Sequence, residues 1–313
     1  EAIMNYRNPK KINRNLGVIG FGAWQLGNTE FFGEMDDHTA INLVDEAVKK
    51  GVTVFDTAPG YGNGNSERLL GIALKPYRKD VFINTNFGHT PLIHTDFSVD
   101  GLYRSVEGSL SRLQTAYLDS VILHNPGREL LYQTAPIYTA LQELKATGVI
   151  RHYGVSIDTV SELETVLTHN TVDVIELMFN IIHQSPKALF EEVQKQGIML
   201  MIKVPLDSGW LTGKYTKDTR FTGIRARWTN DVITKRLEII AKIQTLFQKQ
   251  DITHESLQFI LHFSAVTCVI PGVRTVAQLQ SNVEAQAGTL TIPQIQELET
   301  LYDTYIKNQD TPW

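Results

Sequence analysis

Eight short runs rich in β-branched residues recur along the chain, separated by stretches with helical spacing. They are GVIGFG near Val18, VTVFDTA near Val54, VFINT near Phe82 and DSVILH near Val121, then RHYGVS near Val155, DVIEL near Ile175, IMLMIKV near Leu200 and TCVIPG near Val269. Several are apolar on consecutive positions, the pattern of strands covered on both faces. Between them, Ile41, Val44, Ala47 and Val48 form a helical stripe ended by Gly51. Leu102, Val106, Leu110 and Leu113 form a second, and Ile137, Leu141 and Leu144 a third that stops at Gly148. Thr159 and Glu162 fit a capping box, and Ser185-Pro186 fits an N-cap followed by a helix-starting proline.

Eight strands alternating with helices in 313 residues, with no Pro/Ser-rich linker, predict an α/β fold: a single (β/α)8 TIM-barrel domain over residues 1–313. TVAQLQSNVEAQ and PQIQELETLYDTYI read as additional C-terminal helices, and MNYRNPKKI as a hairpin closing the bottom of the barrel. The interval between Lys203 and Cys268 needs helices near 233–248 and 256–263 plus a long loop, and loops of that length usually have a function.

The net charge of −5, without blocks of like charge, argues against nucleic acid and acidic membranes as partners. No apolar stretch approaches the ~20 residues of a membrane span. The single cysteine, Cys268, excludes an intrachain disulfide and a Cys-rich zinc site, and its apolar setting VTCVIP reads as a buried, inert thiol. The opening EAIMNYRNPKK lacks the apolar core of a signal peptide, so the expected location is a reducing cytoplasm.

Active sites of such barrels lie at the carboxyl ends of the strands. Those positions hold Asp56, Asn86, His124, Ser156, Glu176 and Lys203, with Tyr61 five residues beyond Asp56 and Asn180 just after the sixth strand. Any one of them has a structural explanation; their common placement at one end points to a site. GNGNSE at 62–67 has the wrong spacing for a nucleotide fingerprint and reads as a turn into a helix capped by Ser66.

GFGAWQLG, FDTAPGYGNGNSERLLG, LHNP, GVIRHYGVS, PLDSGWLTGKY and VIPGVRTVAQLQSN resemble, in this order, the sequence blocks of the aldo-keto reductases. The resemblance runs from about Leu16 to Tyr302 and implies reduction of a small carbonyl compound by hydride from NADP(H). It implies that Tyr61 is the proton donor, supported by Asp56, with His124 polarising the carbonyl. The family's lysine after the third strand is replaced: TKFG becomes TNFG, and Asn86 stands where an ammonium would lower the phenol's pKa. Attenuated turnover is the expectation. Lys203 offers a substitute positive charge, against the simpler reading that it contacts cofactor or a neighbouring carboxylate.

For the cofactor, the resemblance implies Ser156 and Glu176 at the nicotinamide, although Ile157 and Glu176 replace the family's asparagine and glutamine. It implies Leu206, Asp207 and Gly209 with Lys214 at the diphosphate, and Arg274, Gln278 and Asn282 at the adenosine end. Arg274 favours NADP(H). Trp24 and Asn125 would line the substrate pocket, with Trp228 and Trp313 as lid residues. The main competing function is a cofactor-binding regulatory protein without rapid chemistry. A metal-dependent hydrolase finds no support, since neither His-x-His nor His-Glu-x-x-His occurs.

Overall fold

The computed structural model describes residues 2–89 and 94–313. The eight apolar runs form one parallel sheet, whose strands are β1 (Phe21–Gly22), β2 (Val54–Thr57), β3 (Phe82–Phe87) and β4 (Leu118–His124), then β5 (Ile150–Ile157), β6 (Val174–Met178), β7 (Met199–Lys203) and β8 (Cys268–Val269). The sheet returns on itself through parallel bridges from Ile19 to Val269 and from Gly22 to Gly272. Gly20 N donates to the Val269 carbonyl at 2.7 Å and Val269 N to the Val18 carbonyl at 2.9 Å. Closure of this kind leaves no exposed edge. Gly154 is required in β5, since a Cβ there would collide with the Val174 backbone of β6.

Side chains alternate across a strand, so each strand feeds two cores. Phe55, Ile83, Val121, Leu123, Val155, Ile175, Leu200 and Ile202 face outward into the layer shared with the helices. Val54, Phe82, Ile122, Val174, Met199, Met201 and Cys268 fill the barrel interior, plugged below by Ile12 and Leu16. Tyr6–Arg7 pairs antiparallel with Leu16–Gly17 at that end, so a hairpin is present but its second strand lies beyond the MNYRNPKKI segment expected to form it. Above the apolar layer the inward residues become polar, and the site begins there.

Apart from the single turn Thr29–Phe32, the α-helices are α1 (Asp37–Lys49), α2 (Asn65–Leu74), α3 (Val99–Leu113), α4 (Pro136–Ala146) and α5 (Val160–His169), followed by α6 (Phe190–Lys195), α7 (Asn230–Phe247), α8 (Thr253–His262), α9 (Val276–Ala285) and α10 (Ile292–Thr304). The capping box of Thr159 and Glu162 is formed at α5. Gly51 and Gly148 take left-handed backbone just past α1 and α4, at φ +87° and +78°.

Three local expectations change. Gly64, not Ser66, caps α2; Ser66 is buried inside the first turn, where its hydroxyl meets Thr57 Oγ1 and donates to the Ala23 carbonyl. Ser185-Pro186 opens a 3-10 turn (Ser185–Leu189) rather than capping an α-helix, and the residue before that turn, Gln184, makes no side-chain cap bond. Trp228 is not a lid: it is 6% exposed and packs edge-to-face on Trp210 and Phe221. Trp313 is more open, at 37%.

Candidate active site

Asp56 and Thr57 end β2, and the loop beyond them turns through left-handed residues Gly62 and Asn63 into α2. Glu67 pins that helix. Its buried carboxylate accepts from Thr85 Oγ1 (2.7 Å), Ser109 Oγ (2.7 Å) and Arg112 Nε (2.6 Å), joining α2 to β3 and α3. The Ser-Glu pair of the GNGNSE segment is therefore an anchor that fixes where Tyr61 stands.

Asn84 and Asn86 alternate on β3 and both project into the barrel. Each donates to Asp56 Oδ1, at 2.7 and 3.0 Å, while Ser120 Oγ holds Asn84 by donating to its Oδ1. Asn86 Nδ2 also donates to the Thr57 carbonyl at 3.0 Å and faces Glu176 Oε2 at 3.4 Å. The sequence reading missed Asn84, although two polar residues spaced by two in a buried strand signal a polar interior. Burial raises both the Asp56 and Glu176 carboxyls above the usual range, and mutual repulsion raises Asp56 further.

Tyr61 stands over this floor. Its phenol is pushed well above 10 by burial and then by the charges of Asp56 and Glu176. Its ring lies edge-on to His124 at 6.3 Å between centroids and 6.4 Å from Trp24. Phe31 and Phe32 flank Trp24, and His89 stacks edge-on to His124 at 5.0 Å. Burial, then Lys203 and His89, bring His124 down to about 3, so it is a neutral imidazole. Its Nδ1 and the Asn86 Oδ1 are buried without a hydrogen-bond partner among the described residues.

Lys203 ends β7 with its ammonium fully engaged. Nζ donates to Asn125 Oδ1 at 2.7 Å and Ser156 Oγ at 2.8 Å, and pairs with Asp158 Oδ1 at 2.8 Å. The simpler reading of Lys203, contact with a neighbouring carboxylate, is what the geometry shows. Asn180 shapes a loop, donating to the Val204 carbonyl at 2.8 Å and accepting from Ile182 and His183 N.

The segment after β7 is strained. Val204, Asp207 and Ser208 have φ of +53°, +48° and +57°, and Gly209 follows at +95°. A non-glycine residue in left-handed backbone costs roughly 1–2 kcal/mol, more readily tolerated where surrounding contacts over-determine it. Here the Val204 carbonyl accepts from Asn180 and from Asp207 N. Asp207 turns inward and is completely buried on Arg236, with Nε to Oδ2 at 2.9 Å, and His183 Nε2 lies 3.3 Å from Oδ1. Despite its burial, these partners bring Asp207 down to about 2. Its side chain is therefore committed to the frame of the loop. Arg236 also donates to the Thr311 carbonyl and lies over the rings of Trp210 and Trp228.

What this loop offers an anion such as a diphosphate is charge: Asp207 N and Gly209 N already donate to the Val204 and Leu206 carbonyls, while Lys214, Arg225 and Arg227 lie beside it. Gly209 has no room for a Cβ, which would meet the Tyr215 hydroxyl at 2.9 Å and Lys214 Cε at 3.0 Å. Burial and the neighbouring Arg225 lower the Lys214 ammonium, and Arg227 shares the same positive field. Arg225, Arg227 and Arg236 were absent from the sequence reading because they lie in an interval without a recognisable block.

At the far end, Arg274 donates from its guanidinium to the Glu34 carbonyl at 3.2 Å. Gln278 Oε1 accepts from Arg274 N at 2.8 Å, so that side chain finishes the helix entry, and Asn282 is buried. Among the described residues no group of three or more His, Cys, Asp or Glu side chains could hold a metal, and no helix is long and apolar enough to cross a membrane.

The closed barrel carries Asp56, Tyr61 and His124 together at its carboxyl end. Residues 18–303 match the model of the Aldo/keto reductase family, and the chain belongs to it. Aldo-keto reductase YhdN of Bacillus subtilis is 28% identical over 318 residues, covering 94% of this chain and 92% of that protein. The NADH-specific methylglyoxal reductase of Escherichia coli is 26% identical over 299 residues, covering 86% and 90%. The holo form of aldo-keto reductase AKR11C1 from Bacillus halodurans superposes with a TM-score of 0.81 at 25% identity, covering 99% of this chain and all of that one.

Proposed function

We propose that the protein reduces a small aldehyde or ketone with NADP(H), slowly for its class because Asn86 occupies the place of an ammonium. The observation that carries the reading is the convergence of Tyr61, Asp56 and His124 at the barrel end that also carries a strained, cation-flanked loop. When bound, the nicotinamide supplies the hydride. Tyr61 then gives its proton to the carbonyl oxygen as negative charge develops there, and neutral His124 donates a hydrogen bond that orients the carbonyl. Trp24, with Phe31 and Phe32 against it, would form one wall of the substrate position.

Ser156, Asn125 and the Lys203 ammonium form one hydrogen-bonded group that would meet the carboxamide of the nicotinamide, with Glu176 on its other side. Lys214, Arg225 and Arg227, beside the turn of Leu206, Asp207 and Gly209, would hold the diphosphate. Arg274 favours a 2′-phosphate, and the NADP(H) preference rests on it; the Escherichia coli relative, by its name, is specific for NADH. Nicotinamide fluorescence titrations with NADPH and NADH, followed by absorbance at the nicotinamide band with a panel of small aldehydes, test this. Tighter NADPH binding and slow, aldehyde-dependent oxidation are expected. Binding without any oxidation over many hours would favour the regulatory alternative, and absence of binding would sink both.

A further inference from the structure

One amide nitrogen at the floor of the site faces three oxygens. Asn86 Nδ2 lies 3.0 Å from Asp56 Oδ1, 3.0 Å from the Thr57 carbonyl and 3.4 Å from Glu176 Oε2. A primary amide has two hydrogens, so it cannot satisfy all three. The flipped amide would be worse, setting Oδ1 against three acceptors. Asp56 Oδ1 also accepts from Asn84, so two buried carboxyls crowd onto one amide nitrogen that cannot serve both of them and the Thr57 carbonyl. Two carboxylates so placed repel each other in a low-dielectric floor, and a proton on one of them relieves both the repulsion and the missing hydrogen.

The surroundings agree. Asp56, Glu176 and Asn86 are 4%, 2% and 0% exposed, and among the described residues no lysine or arginine forms an ion pair with either carboxyl. Lys203 on β7 acts on Glu176 from a distance but is held by Asp158, which opposes it. The other titratable neighbours are the Tyr61 phenol above, neutral His124 on β4 and the buried thiol of Cys268 on β8. None of these supplies a cation at the pair.

We propose that Asp56 and Glu176 hold a single shared proton, and that this proton takes the place of the absent ammonium by limiting the floor beneath Tyr61 to one negative charge. The inference rests on the reading of Tyr61 as the acid for its catalytic meaning, but the shared proton itself does not. The proton stays on the pair throughout: Tyr61 supplies the one that reaches the carbonyl oxygen. Ionising the pair completely would place a second negative charge against the oxyanion that hydride transfer creates. Glu176 acts here through Tyr61, as a positioning residue.

The pair ionises fully only at a pH above that of ordinary carboxyls, because burial raises both groups. A group raised in the folded state contributes stability that is complete below its unfolded value and disappears as pH rises through its folded value. Infrared spectra of the whole chain in heavy water should show a protonated, non-exchanging carboxyl band at neutral pH. The Glu176→Gln variant should lose that band, and its melting temperature should fall less steeply with rising pH than that of the wild type. Asn86→Lys offers a second route to the same loss, since an ammonium brings three hydrogens to the three oxygens and leaves both carboxyls ionised. No protonated band in the wild type, or a band unchanged in both variants, overturns the proposal. A band present in a chain that binds no nicotinamide would leave the pair standing and remove the reductase reading instead.

Discussion

Asp56 and Asp207 are both buried at the carboxyl end of the same barrel, yet they are displaced in opposite directions. Asp207 has a guanidinium and an imidazole against it and titrates near 2, whereas Asp56 has neutral amides and a second carboxyl and is raised. Depth alone does not set the state of a carboxyl; the partner does. The side around Asp207 is an ion-paired, charged frame. The floor under Tyr61 is a hydrogen-bonded frame that tolerates only one charge.

The contrast can be broken at either end. Replacing Arg236 by Met should be the most damaging change, because it leaves Asp207 buried without its main counter-charge. Removing one partner of a buried pair typically costs about 3–5 kcal/mol, which urea unfolding would register directly. A loss below about 1 kcal/mol would mean that water or His183 compensates, and the frame would be less rigid than its geometry implies.

Asn86→Lys converts the neutral frame into a charged one. An opposite charge at such range moves a pKa by roughly 1–3 units, so Tyr61 should become a better acid. We expect kcat/KM for aldehyde reduction at neutral pH to rise by about 10²-fold, roughly 3 kcal/mol of barrier. Unchanged turnover would mean that the amide is not what limits the reaction.

The smallest effect is the acid limb of stability. Asp207 is lowered on folding, so its contribution is present above the unfolded value near 4 and is lost as pH falls toward about 2. The difference corresponds to about 2 kcal/mol. Thermal melts between pH 5 and pH 2 should lose that increment in the wild type but not in Asp207→Asn, whose melts start lower.

The architecture was legible because burial on both faces leaves its mark on every strand, and the polar ring because each member follows an apolar run. Trp228 was misread because a tryptophan in a long loop carries no sign of whether it covers a ligand or its own loop. Here it is locked against Trp210 and Phe221. Ser66 was misplaced because a serine before Glu67 satisfies a capping pattern that Gly64, in left-handed backbone, satisfies instead. Arg236 escaped notice because its partners lie at positions 183, 207 and 311, and no local spacing links them. The pairing of Asp56 with Glu176 escaped for the same reason, since it spans the barrel from β2 to β6.

The seam between β1 and β8 has a bearing on how the barrel is assembled. Its two strands are the shortest of the eight and come from opposite ends of the chain, whereas β2 to β7 each add to a neighbour already made. Contacts between distant parts of a chain carry the largest loop-closure cost and form late. Until residues near Val269 arrive, β1 has a partner on one side only, and the polar end of the barrel lies open to water. The seam is therefore the natural last step of folding and the first place for the barrel to breathe. Amide hydrogens such as those of Gly20 and Val269 mark where that opening begins.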